Sequence, residues 1–108
     1  MSDRMIADGW LNAFINKDVS RLVLADDFVH ASPFGKVHGR EAYLGMVRAN
    51  EEAFFSQPIE IQDVFDCGDK FVYRYMVGDM EACDCIYITN DEITEIFSYY
   101  HFGEKPEM

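Results

Sequence analysis

The sequence predicts a single α+β domain in which helices cover one face of a curved sheet, and three observations carry that expectation. Apolar residues recur at helical spacing through the first half of the chain and at every second position through the second half. The two patterns follow one another rather than alternating, which favours strands paired after the helices over a series of β-α-β units. At 108 residues, 49% of them hydrophobic, the chain has room for one compact core, so residues 1–108 are read as one domain.

From about Ser2 to Asn16, a stripe of Met5, Ile6, Trp10, Ala13 and Phe14 with polar residues off it describes an amphipathic helix, with Ser2 as its N-cap. Asp18 is then expected to cap a short second helix that turns Val19, Leu22 and Val23 inward and ends at Ala25-Asp26-Asp27. Phe28 to Ser32 reads as a strand and Pro33-Phe34-Gly35-Lys36 as a turn. His38-Gly39-Arg40-Glu41 opens a third helix that runs to about Phe55, buries Tyr43, Met46, Val47 and Phe54, and stops at Ser56-Gln57-Pro58. From Ile59 the period falls to two. A strand with a bulge at Asp63-Val64-Phe65 leads to a hairpin turn at Cys67-Gly68-Asp69-Lys70. Phe71 to Val77, Cys83 to Thr89 and Ile93 to Phe102 are three further strands, with turns at Gly78-Asp79 and Asn90-Asp91. The polar tail, Gly103 to Met108, is expected to fray.

Nine Lys and Arg against twenty Asp and Glu leave a formal charge of -11, with the basic residues scattered from Arg4 to Lys105. Such a surface repels a phosphate backbone and an anionic leaflet, so neither nucleic acid nor membrane is expected as a partner. Asp3, Arg4, Asp8 and Lys17 break up any secretory signal, and Cys67, Cys83 and Cys85 then read as free thiols in a reducing compartment, the cytoplasm. Cys83-Asp84-Cys85 lacks a second Cys or His pair at ligand spacing, so no metal is expected. Several later strands carry large apolar side chains on both faces: Phe71, Tyr73, Tyr75 and Val77 form one row, Val72 and Met76 the other. With helices on one face, a second copy of the chain is the expected cover for the outer face, which predicts a homodimer.

The passage Asn16-Lys17-Asp18-Val19-Ser20-Arg21-Leu22-Val23, then Ala25-Asp26-Asp27-Phe28, Ser32-Pro33-Phe34-Gly35 and His38-Gly39-Arg40-Glu41, followed by the later strands, resembles the nuclear transport factor 2-like superfamily, in its SnoaL-like and ketosteroid-isomerase-like branch. The resemblance implies a cone-shaped α+β barrel: a strongly curved mixed sheet wrapped around three N-terminal helices, with a hydrophobic pocket between them. It also implies dimerisation through the outer sheet face. In ketosteroid isomerases an Asp base precedes the Pro of the Pro-x-Gly loop, where this chain has Ser32. The oxyanion-hole Tyr of the first helix falls near Trp10, and the protonated Asp of the third long strand at or near Cys85. With all three positions changed, steroid isomerisation is not carried over, and no cofactor is implied.

Strand parity then assigns the pocket lining. The resemblance implies that Ser32 faces inward, and His30, two residues earlier, then points the same way; these are the candidate catalytic residues, with His30 expected to titrate near neutrality. Trp10, Phe14, Tyr73, Tyr75, Cys83, Cys85, Ile96, Ser98 and Tyr100 are the candidate ligand-binding residues, and a small hydrophobic or aromatic molecule is the expected partner. In this register Asp84 lies on the outer face; a slip of one residue would exchange it with Cys85 and bury a carboxylate. Three functions stay open. They are an enzyme of the isomerase, dehydratase or cyclase kind using acid–base chemistry, a non-catalytic binder of a small molecule, and a protein-interaction module whose cone is packed shut by Trp10, Phe54, Phe55 and Tyr100.

Overall fold

The computed structural model describes residues 2–101. Helix α1 (Asp3–Ile15) starts where the Ser2 hydroxyl accepts the Met5 amide, and it buries Ile6, Ala7, Trp10, Leu11, Ala13 and Phe14. It ends in a Schellman turn: Lys17 adopts a left-handed conformation (φ 57°) while the amides of Lys17 and Asp18 reach back to the carbonyls of Phe14 and Ala13. The expected second helix does not form. Asp18 accepts both the amide and the hydroxyl of Ser20 through one oxygen, and this local turn uses the cap that a helix would have needed.

Strand β1 (Leu24–Ser32) begins four residues earlier than Phe28, hairpins through Pro33-Phe34, and pairs with the short edge strand β2 (Gly35–His38). The expected long third helix is two pieces, α2 (Arg40–Ala49) and α3 (Glu51–Phe55). Asn50 divides them because its side-chain amide donates to the Met46 carbonyl at 2.8 Å and its backbone leaves the helical region. The sheet is completed by β3 (Ile59–Asp66), β4 (Phe71–Val77), β5 (Met80–Thr89) and β6 (Glu92–Tyr100). The bulge in β3 lies between Ile61 and Asp63, earlier than the expected Asp63-Val64-Phe65, whose residues pair in regular register with Arg74, Tyr73 and Val72. Asn90 and Asp91, both at positive φ, make the two-residue turn that joins β5 to β6. Phe102 and the tail from Gly103 to Met108 lie outside the described residues.

The strand order is β2-β1-β6-β5-β4-β3, with β1 and β6 parallel and all other neighbours antiparallel. This is the cone-shaped α+β fold: a curved mixed sheet, open between its two edges, holding three helices in its concave face. Phe28, Tyr43, Val47, Tyr73, Ile86, Ile93 and Ile96 are buried where α1 and α2 meet the sheet. None of the helices among the described residues is long and apolar enough to cross a membrane.

Candidate functional site

Directly paired residues on neighbouring strands share a face, so the inner face can be followed across the sheet in rows. Tyr75, Ala82 and Tyr100 make one row, and Tyr73, Asp84 and Ser98 the next. A third row holds Phe71, Ile86, Ile96 and His30. Between α1, α3 and the inner face of the sheet is a cavity of about 240 Å³. It is lined by Trp10, Leu11 and Phe14 of α1, Ala53 and Phe54 of α3, and Tyr43 of α2. The sheet contributes His30, Ile59, Tyr75, Val77, Met80, Asp84, Ser98 and Tyr100, and Phe34 projects from the β1–β2 turn. The Phe34 ring is 80% exposed and lies 6.0 Å from that of Tyr100.

The polar floor of this chamber is a single network around Asp84, which is 1% exposed. Trp10 Nε1 donates to one carboxylate oxygen at 2.8 Å and the Tyr75 hydroxyl to the other at 2.9 Å. The Ser98 hydroxyl lies between Asp84, whose charge it helps to hold, and His30 Nε2 at 2.9 Å. Burial pushes the Asp84 carboxyl up to about 6, against the opposing pull of Ser98, Trp10 and Tyr75. Burial moves His30 the other way, down to about 4, so its imidazole is neutral at physiological pH. The His30 ring is held between Trp10, stacked at 5.9 Å, and Tyr43 at 5.2 Å.

A family model for the SnoaL-like domain matches residues 7–96. The chain belongs to the SnoaL-like family. Among solved structures it is similar to a SnoaL-like protein of unknown function from Burkholderia thailandensis (TM-score 0.80, 14% identity, covering 94% of this chain and 99% of that one). It is also similar to a protein from Sinorhizobium meliloti labelled a polyketide cyclase (0.77, 21%, 87% and 93%). A third, from Agrobacterium tumefaciens, is labelled an isomerase of the SnoaL-like family (0.70, 18%, 92% and 97%). At these identities the likeness is one of fold. A search of curated proteins returned no match.

In this SnoaL-like domain, Trp10, Phe14, His30, Tyr75, Ser98 and Tyr100 line the cavity together. His30 does not titrate near neutrality, because burial without a charged partner disfavours its imidazolium. Ser32 is placed elsewhere: its hydroxyl accepts the Phe34 amide and fixes the β1–β2 turn. Tyr73 and Ile96 face inward but pack in the core beneath the helices, where the Tyr73 hydroxyl donates to Asp8 of α1. Cys83 and Cys85 are corrected outright. They occupy the outer face, half-buried beside Arg74, Tyr99 and Phe97, and Asp84 takes the inward position between them.

The missed residue had a signal in the sequence. A two-residue turn at Gly78-Asp79 pairs Val77 with Met80 and therefore Tyr73 with Asp84, so inward tyrosines at 73 and 75 require an inward Asp84. Trp10, Phe54 and Tyr100, which would close the cone if they filled it, surround the cavity.

Proposed function

We propose that this SnoaL-like domain is an acid–base enzyme of the isomerase, dehydratase or cyclase kind, acting on a small apolar molecule with Asp84 as the proton carrier. The observation that supports it is a carboxylate at the floor of an aromatic chamber, raised by burial to about 6. A group with that pKa is largely ionised at neutral pH, yet its conjugate acid is strong enough to return the proton. In the simplest cycle Asp84 removes a proton from carbon next to a carbonyl. The C–H bond breaks as an O–H bond forms on the carboxylate, and the electron pair moves onto the carbonyl oxygen as an enolate. Asp84 then delivers the proton to a second carbon or to a leaving hydroxyl.

His30, neutral and bonded to Ser98, positions the Ser98 hydroxyl beside Asp84. Two structural neighbours carry the labels polyketide cyclase and isomerase, which fit this class of chemistry. The test is exchange of the α-hydrogens of 1-indanone in D2O, followed by NMR. The protein is expected to accelerate exchange, and Asp84→Asn to lower that acceleration by about 10²- to 10⁴-fold. No acceleration above buffer by the wild-type protein defeats the proposal.

A second reading, a binder without turnover, is favoured by the Trp10 and Tyr75 bonds that already occupy both Asp84 oxygens. It is the reading left standing if 1-indanone binds and its α-hydrogens do not exchange. In either case we propose a homodimer through the outer sheet face, where Val72, Met76, Cys85 and Phe97 are half-buried and Tyr99 is 57% exposed. The free thiols of Cys67, Cys83 and Cys85 fit a reducing, cytoplasmic compartment.

A further inference from the structure

Tyr43 enters the cavity from α2 and has no part in the network around Asp84. Its ring is fixed by three others: Trp10 at 5.6 Å, Phe28 edge-on at 5.3 Å and His30 at 5.2 Å. The residue is 1% exposed, and burial together with the nearby Asp84 carboxylate keeps its hydroxyl protonated. Among the described residues that hydroxyl forms no hydrogen bond, and it is not sealed in the core, so it opens onto the cavity. Trp10 Nε1, His30 Nε2 and the hydroxyls of Tyr75 and Ser98 on the floor are already engaged. A hydroxyl that opens onto an apolar cavity without a protein acceptor is free to donate to a ligand oxygen placed there.

The rest of the lining narrows what can bring that oxygen. Among the described residues it contains one carboxylate, Asp84, and no Lys or Arg. An anionic ligand would meet Asp84 in a low-dielectric space with no counter-charge. The volume is small as well. Scaled from the ~150 Å³ apolar cavity that accepts benzene, about 240 Å³ corresponds to about ten non-hydrogen atoms, a molecule of one or two rings.

We propose that the Tyr43 hydroxyl is the donor that receives the carbonyl oxygen of an uncharged, one- or two-ring ligand in this cavity, with Asp84 as the ligand's other polar contact. This rests on the small-molecule site proposed above and names the ligand class and the group that recognises it. Where Asp84 removes a proton, the same hydroxyl stabilises the charge that develops on the enolate oxygen.

The test compares 1-indanone with indane, which has the same rings without the carbonyl, by calorimetric titration of the wild-type protein and Tyr43→Phe. The wild-type protein is expected to prefer the ketone. Tyr43→Phe is expected to keep its affinity for indane, to bind 1-indanone about two- to tenfold more weakly, and to show a thermal midpoint no lower than wild type. Indane-2-carboxylate is expected to bind the wild-type protein more weakly than 1-indanone. Equal ketone affinity in the two proteins, parallel loss of indane and indanone binding, a lowered midpoint in Tyr43→Phe, carboxylate binding as tight as ketone binding, or no binding of either neutral compound to the wild-type protein each overturns the inference.

Exchange of the 1-indanone α-hydrogens separates this inference from the acid–base proposal. Tyr43→Phe is expected to slow exchange by about 10²- to 10³-fold. A carbonyl preference that depends on Tyr43, found without any exchange, sustains the inference and defeats the enzyme. Exchange at equal rates in wild type and Tyr43→Phe does the reverse.

Discussion

Burial moves Asp84 and His30 in opposite directions until their order inverts, and this makes a pH experiment diagnostic. Asp84 rises from an ordinary 3.8 to about 6, while His30 falls from 6.5 to about 4. At pH 5 the unfolded chain carries an ionised Asp84 and a protonated His30; the folded chain carries a protonated Asp84 and a neutral His30. Each state holds one proton on the pair, so together the two residues add almost no pH dependence to stability.

Taken singly they do. At about 1.4 kcal/mol per pKa unit, the charged Asp84 costs the fold about 3 kcal/mol above pH 6, and that cost disappears as pH falls through 6 toward 3.8. The neutral His30 acts with the opposite sign: its contribution is present above pH 6.5 and is lost as pH falls through the window toward 4, by about 3 kcal/mol at most. Urea unfolding of wild type, Asp84→Asn and His30→Gln at several values between pH 4 and 7 reads this directly. The stability of Asp84→Asn relative to wild type is expected to rise by about 3 kcal/mol from pH 4 to 7, and that of His30→Gln to fall by a similar amount. Difference curves that stay level across this range would refute the assignment of both groups to a desolvated floor.

Three further outcomes follow from individual contacts. Trp10→Phe removes a donor that serves the Asp84 carboxylate from α1, and it is expected to cost about 2 kcal/mol at pH 7 and less at pH 4, by the same unfolding measurement. Lys17→Gly relieves a side chain held at positive φ in the turn that ends α1, and a thermal melt should show a stability gain of about 0.5–1 kcal/mol; a lower midpoint would contradict the strain. Tyr99→Lys places a charge on the outer sheet face and is expected to convert dimer to monomer in light scattering, leaving 1-indanone affinity unchanged; a wild-type monomer at micromolar concentration removes the dimer.

Much of the element order was legible because it rests on local rules. The α1 stripe and the hairpin turns are each written in a few neighbouring residues. Local rules also mislead where two of them compete. Asp18 fits the start of a helix, but its carboxylate closes on Ser20 two residues away. Asn50 reads as an ordinary helical residue, yet its amide takes the Met46 carbonyl. The site suffered from a different ambiguity: in β5 each row mixes apolar residues with one acid, Ala82 and Ile86 with Asp84 on one side and Cys83, Cys85 and Tyr87 with Glu81 on the other. Alternation alone could not say which row was inside.

By itself the sequence determined an α+β chain with helices before strands, a net charge of -11, and a pocket lining that includes Trp10, His30, Tyr75 and Ser98. Only the tertiary structure decided that the Asp84 carboxylate is held on the floor of the chamber by Trp10 and Tyr75, that burial there disfavours the His30 imidazolium, and that the Tyr43 hydroxyl finds no acceptor among the described residues. The reason is that protonation and hydrogen bonding inside a fold depend on desolvation and on partners far apart in the chain. Trp10 and Asp84 are 74 residues apart, and the bond between them forms once the sheet curves around the helix.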